Sequence, residues 1–171
     1  PIFVGAQGPK MLSLASELGD GVLINASHPD DFAKAMPHIE AGLKAAERKK
    51  EDIEIVAATS LSVAKDAEKA LKAARPIVAF ITAGSPFQAL ESHTISIESA
   101  EKVRNAVMSG KWGEAFANVT PEMMDAFSIF GSTDTCIERI RQVLNQGVTV
   151  FIAGSPIGPN VRTSIRLISE E

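Results

Sequence analysis

The chain has no tyrosine, a single tryptophan and a single cysteine among its 171 residues. With Cys136 alone there can be no internal disulfide, which excludes a small scaffold stapled by disulfide bridges. Aromatic residues make up only 5% of the chain, eight of them Phe, too few for a carbohydrate platform or a base-stacking surface. Positive charge is not in excess either: 17 Lys and Arg stand against 21 Asp and Glu, a net charge of −4. A binder of nucleic acid or of an anionic membrane needs the opposite balance, so neither is expected as a partner. The longest stretch without a charged side chain, Gln142 to Val161, contains Asn145, Gly147, Gly154, Pro156, Gly158 and Pro159 and cannot be a membrane-spanning helix. There is no signal-peptide pattern, no P-loop, no G-x-G-x-x-G fingerprint and no G-x-S-x-G elbow.

What is present is an alternation of apolar strands and amphipathic helices. At 45% hydrophobic and 22% charged, the composition fits one soluble globular domain over residues 1–171. Ile2-Phe3-Val4 is a short apolar run ended by Gly5-Ala6-Gln7-Gly8, and Pro9 suits a first helical turn. Met11, Leu14, Ala15 and Leu18 recur at helical spacing before Gly19-Asp20-Gly21. Val22-Leu23-Ile24 is a second strand. Ser27 then caps a helix whose apolar stripe is Phe32, Ala35, Met36, Ile39, Leu43 and Ala46. Ile53–Ala57 is a third strand, extendable through Leu61-Ser62-Val63. It precedes a helix capped by Asp66, with Ala67, Ala70, Leu71, Ala74, Val78 and Ile81 as its stripe and Pro76 as a kink or break.

From Gly84 to Ile129 no strand is expected, only helical patterns at Pro86–His93, Glu98–Met108 and Pro121–Phe127, with Trp112 and Phe116 as a packing anchor between the last two. Gly131-Ser132-Thr133-Asp134 starts a helix buried through Ile137, Ile140 and Leu144. Val148–Ala153 is the last strand, Gly154–Pro159 a rigid loop, and Asn160 the cap of a final helix carrying Val161, Ile165 and Ile168. Glu170-Glu171 reads as a solvated end.

Apolar strands each followed by a helix mean a parallel sheet covered by helices, so the class is α/β. The pattern makes four such units, with a helical insertion before the fourth. A doubly wound sheet would be complete at this length. A (β/α)8 barrel takes about 250 residues, so this chain would supply half of one. Pro1 opens directly on a buried strand without an initiator Met, which favours the half-barrel and a piece of a longer chain. Its open strands would leave Ile2, Val4, Val22, Ile24, Val148, Val150 and Ile152 on or near exposed edges, calling for a second copy or the absent half as cover.

Chemistry concentrates at the turns after the first two strands. Gly5-Ala6-Gln7-Gly8-Pro9-Lys10 joins a strand end to a helix N-terminus, where unpaired N–H groups and the positive dipole end converge and small residues admit an anion. A tight turn without a ligand explains the same glycines. Asn25-Ala26-Ser27-His28 follows the second strand in the same way, and in a parallel sheet the two turns would be neighbours able to share one ligand. Capping by Ser27 explains that segment too. His28, His38 and His93 are scattered without metal-ligand spacing, so no metal site is expected. His38 reads as solvated, His93 as a helix-end residue. Cys136 lies near a helix start with no His partner, and reads as a small half-buried residue.

The segments Pro1–Lys10, Asp20–Ser27, Gly131–Asp134 and Gly147-Val148 resemble the second half of the bacterial-luciferase-like superfamily. Within it, Ala6–Met11, Asn25–Ser27, Pro121–Ile129 and Gly154–Pro159 are most similar to the coenzyme F420-dependent methylenetetrahydromethanopterin reductases of methanogenic archaea. The resemblance implies the C-terminal half of a (β/α)8 TIM barrel, cytoplasmic, whose missing N-terminal half is a partner, with a homo-oligomer as the assembled form. It also implies hydride transfer from reduced F420 to a pterin substrate in one-carbon metabolism, or, as the alternative within the superfamily, FMN-dependent monooxygenation or flavin binding without turnover. The cofactor phosphate is implied on Gly5, Ala6, Gln7 and Gly8 and on Asn25, Ala26 and Ser27. The superfamily's acid/base carboxylates belong to the first half of the barrel, so no catalytic residue is assigned here.

Overall fold

A computed structural model describes residues 1–169; Glu170-Glu171 lie outside the described residues. The described chain forms two compact units, Pro1–Thr59 with Ile137–Gly154, and Ser60–Cys136 with residues 155–169. The class is α/β with parallel strands, as the alternation predicts.

In the first unit β1 (Phe3–Gly5) pairs in parallel with β2 (Gly21–Asn25), which pairs in parallel with the start of β3 (Glu54–Val63). The start of β5 (Val150–Ile157) joins β3 on its other side, where the Thr149 amide donates to the Ile55 carbonyl at 2.8 Å and the Thr59 hydroxyl to the Ile152 carbonyl at 3.1 Å. Alternation along β2 and β3 buries Val22, Ile24, Ile55 and Ala57 on one face. Phe3, Gly21 and Leu23 occupy the opposite face, where the Phe3 ring lies across Gly21 at the spot a Cβ would take.

Helices α1 (Pro9–Leu18) and α2 (Pro29–Ala45) pack on each other. Gly42 makes their approach possible, since a Cβ there would fall on the Ser13 carbonyl oxygen. The buried Ser16 hydroxyl lies within 3.0 Å of the carbonyls of Leu12, Ser13 and Ile39, so its donor is satisfied by either helix. Arg48 completes the corner: Nη1 donates to the carbonyls of Ser16, Glu17 and Gly19 at 2.7–3.2 Å, taking up the bare acceptors at the end of α1.

The second unit holds the end of β3, paired in parallel with β4 (Ile129–Gly131) from Leu61↔Ile129 to Val63↔Gly131. Its core is helical, built from α3 (Ala67–Gly84), α4 (Phe87–Ser92), α5 (Ile97–Met108), α6 (Trp112–Ala117) and α7 (Pro121–Phe127). Val78, Val103, Met123 and Met124 lie at its centre. Arg104 donates to the carbonyls of Ala83 and Ser85, both at 2.8 Å, and so ties α5 to the end of α3. Two further helices, α8 (Thr133–Leu144) and α9 (Val161–Ser169), follow β4 and β5. The Ser164 hydroxyl of α9 donates to the Val63 carbonyl at 2.7 Å.

Several expectations are corrected. A strand at Ile129–Gly131 brings the described strands to five; at three residues it carries no periodicity and exists because the end of β3 offers it a partner. The last strand runs Val150–Ile157, into the segment expected as a loop. Pro76 does not divide α3. Pro76 and Lys72, whose carbonyl loses its bond, are both exposed, so the interruption falls on the solvent side of the helix. On α1 the buried residues are Leu12, Ala15 and Ser16, while Met11, Leu14 and Leu18 are 44%, 44% and 72% exposed. On α8 the buried residues are Cys136 and Val143, with Leu144 exposed, and on α9 Ser164 is buried while Val161 and Ile165 are exposed. Val22, Ile24 and Val148 are buried, so only part of the apolar strand set is uncovered. Trp112 is half exposed, and Phe116 alone of that pair packs on the helical core.

Gly42→Val should drive α1 and α2 apart and cost about 1–3 kcal/mol of stability, read as a lowered melting temperature in circular dichroism.

Candidate functional site

The β1–β2 pairing brings the first two strand-to-helix turns to one edge of the first unit, as the sequence predicts. The Ala6 amide donates to the Leu23 carbonyl at 3.0 Å, continuing the ladder past Gly5. The Gln7 side chain crosses to the second turn, Nε2 donating to the Asn25 carbonyl at 2.8 Å. Gly5, Ala6, Gln7, Leu23 and Asn25 together line an open recess of about 300 Å³.

Helix α1 begins beside that recess with no side-chain cap. Gly8 is its N-cap and has no side chain, and Pro9 has no N–H. The first intrahelical bond runs from the Leu12 amide to the Gly8 carbonyl at 2.9 Å. The amides of Lys10 and Met11, in the turn before it, therefore have no carbonyl within the helix to donate to. Neither Gly5 nor Gly8 needs to be glycine for the fold, because a Cβ on either would have no atom within 4 Å and neither has a left-handed φ. Gly158 shows the contrasting case: its φ is +149° and a Cβ there would strike Ser164 and the Val63 carbonyl. Packing explains Gly158; open space in front of the backbone is what Gly5 and Gly8 share.

The sequence-predicted residues separate by burial. Gly5, Gln7 and Asn25 are exposed and line the recess, Gly8 is exposed next in the chain, and Ala26 is half-buried. Ala6 is buried and its amide is already used by Leu23. Ser27 is 3% exposed and is not the cap of α2. That place belongs to His28, whose Nδ1 accepts from the Asp30 amide at 3.2 Å. Ser27 precedes the helix by one residue too many, and its burial turns it inward. Leu23 was missed as a lining residue, although its register opposite Gly5 follows from pairing the two strands in parallel.

A larger recess, lined by Pro9, Lys10, Ser13, Leu14, Glu17, His38 and Ala41, runs along the outer side of α1 and α2. Its charges are mixed, and it places His38 half-buried against α1 rather than fully solvated. His93 caps the end of α4 with its ring edge-on to Phe127, centroids 6.1 Å apart. Among the described residues no group of His, Cys, Asp and Glu is placed to hold a metal ion, and no helix is long and apolar enough to cross a membrane. The perturbed carboxylates, Glu98 and Glu122, are exposed. Their pKa values are lowered chiefly by hydrogen bonds to Lys102 and Thr120 respectively, a surface effect without catalytic geometry.

Cys136 is 1% exposed, more deeply set than expected, with Sγ 3.8 Å from the Ser62 carbonyl. Burial pushes its thiol up to about 12. An unfolded cysteine titrates near about 8.5, so above that pH the unfolded chain releases a proton the folded chain keeps, and stability falls as pH rises. At pH 8 a thiol reagent should label the native protein at least roughly a hundredfold more slowly than the urea-unfolded chain; rapid labelling of the native form would place Cys136 at the surface.

A family model described as luciferase-like monooxygenase matches residues 1–150. The chain is 53% identical to the 5,10-methylenetetrahydromethanopterin reductase of Archaeoglobus fulgidus, over all of this chain and 53% of that protein. It is 46% identical to the protein of the same name from Methanopyrus kandleri, over all of this chain and 49% of that protein. The solved structure of the coenzyme F420 dependent tetrahydromethanopterin reductase from Methanopyrus kandleri superposes with a TM-score of 0.97 at 45% identity, covering 100% of this chain and 49% of that one. The chain thus spans about half the length of the curated relatives it matches.

Proposed function

We propose, for a chain that belongs to the luciferase-like monooxygenase family, the role of the cofactor-holding half of a coenzyme F420-dependent reductase. In this reading residues 1–171 are one domain, the C-terminal half of a (β/α)8 barrel. The whole protein delivers a hydride to the methylene carbon of methylenetetrahydromethanopterin and a proton to the amine nitrogen released from that carbon, giving the methyl form. The names of the Archaeoglobus and Methanopyrus relatives supply the substrate and cofactor of the reading.

The observation that carries it is the uncapped start of α1 beside two glycines that face open space. An anion is the natural complement of such a turn, since free amides and the positive dipole end point the same way. The deazaflavin, when bound, supplies the hydride. Gly5 and Gly8 let its phosphate approach the main chain, and the amides of Lys10 and Met11 have hydrogen bonds to give. Asn25 and Ala26 flank the phosphate from the second turn, with Ala6 and Ser27 buried beneath as support and Leu23 as an apolar wall.

The half-barrel reading is supported by what β1 and α1 leave bare. Among the described residues β1 pairs only with β2, and Ile2 and Phe3 are exposed. Met11, Leu14 and Leu18 stand uncovered on α1. An N-terminal half contributing the next strand and helix covers both the open ladder and the apolar stripe. Exposed Phe80, Phe87, Met108 and Trp112 in the second unit offer surface for a homo-oligomer of completed barrels.

In the full-length protein Gly5→Val should weaken F420 binding, followed by fluorescence, by at least about tenfold. Within the 171-residue chain the same substitution should leave the melting temperature unchanged, because the new Cβ meets no atom of the chain within 4 Å. Unchanged affinity would remove the phosphate site. The 171-residue chain by itself should not oxidise reduced F420 with the pterin substrate, whereas the full-length protein should; turnover by the shorter chain would sink the half-barrel reading.

A further inference from the structure

We infer that Gln7 is a positioning residue: its carboxamide clasps the two turns together and screens a carbonyl oxygen from the bound phosphate. The inference rests on the phosphate reading above and assigns Gln7 a different job from its neighbours, which offer only main chain.

Three features lead to it. Among the described residues the Gln7 side chain has one hydrogen-bond partner, the Asn25 carbonyl at 2.8 Å, and the bond runs from the first turn to the second. An acceptor carbonyl fixes which end of the carboxamide points there, since only the NH2 end donates. Asn25 is the last residue of β2 and lines the same recess as Gly5 and Gln7. Its carbonyl is therefore a partial negative charge at the place proposed for an anion. Left bare, that oxygen would repel a phosphate; bonded to Gln7 Nε2, it has one lone pair engaged and its negative charge partly offset by the donor. The Ala6 amide to Leu23 carbonyl bond holds the two turns one residue earlier, so the Gln7 bond extends an existing ladder into the loop rather than creating the contact alone. Its loss is expected to loosen the recess without unfolding the strands.

The test uses the full-length protein and two probes, coenzyme F420 and the same deazaflavin nucleoside with its phosphate removed. Gln7→Met keeps length and loses the donor. Gln7→Glu replaces the donor with a carboxylate that repels both the Asn25 carbonyl and the phosphate. The wild type should prefer the phosphorylated probe. Gln7→Met should cut that preference by roughly three- to tenfold, the size expected for one hydrogen bond at an exposed position, and Gln7→Glu should cut it further. Affinity for the dephosphorylated probe should be unchanged in both variants. KM for reduced F420 should rise while kcat at saturating cofactor holds, and the phosphorus NMR resonance of bound F420 should move in the variants. If the wild type shows no preference for the phosphorylated probe, the phosphate reading itself fails and takes this inference with it. If the wild type prefers it and both variants retain the preference in full, the phosphate reading stands and the role of Gln7 alone is overturned.

Discussion

The parallel pairing of β1 with β2 is the constraint on which the candidate site depends. In a parallel ladder both strands deliver their C-terminal ends to the same edge, so the residues that follow Gly5 and those that follow Asn25 become neighbours although nearly twenty positions separate them. Once there, each turn must lead at once into a helix, and α1 starts at Pro9 and α2 at Pro29. The two starts differ in a way that matters chemically. His28 caps α2 with a ring nitrogen, whereas Gly8 offers α1 nothing. One helix has its first turn served by a side chain; the other leaves the amides of Lys10 and Met11 without an intrahelical partner.

Holding that edge in place falls to close backbone packing more than to large side chains. Gly42 and Ser16 allow α1 to lie directly on α2, and Arg48 Nη1 is given wholly to carbonyls at the end of α1. In the second unit Arg104 performs the same service at the end of α3. These arginines act as caps on helix ends that lack a C-terminal glycine in left-handed geometry. Their charge is incidental to that role, because every bond named goes to a main-chain carbonyl.

Single-residue signals mark most helix starts, Ser27 being the exception because His28 takes its place as the cap of α2. Asp66 caps α3, Asn160 caps α9, Ser132 starts α8, and Pro9 and Pro29 stand in first turns. Apolar stripes were less informative. Met11, Leu14 and Leu18 form a genuine stripe on α1 and so do Val161 and Ile165 on α9, yet both are exposed here. Periodicity reports that one face is apolar; it does not report which neighbour covers it, and buried serines such as Ser16 and Ser164 are invisible to it. The site followed the same division. The glycine-rich turn and its neighbour were legible, while the burial of Ser27, the clasp of Gln7 and the wall at Leu23 were not.

The α/β class, the order of the elements other than the short strand β4, and the glycine-rich strand-to-helix turn at Gly5–Lys10 were determined by the amino-acid sequence, because caps, prolines, glycines and apolar runs act over a few residues. Tertiary structure decided which glycines are demanded by packing and which are left facing open space, and which side chain takes the carbonyl of Asn25. Those depend on atoms brought together from distant positions, and no local pattern encodes the distance between them.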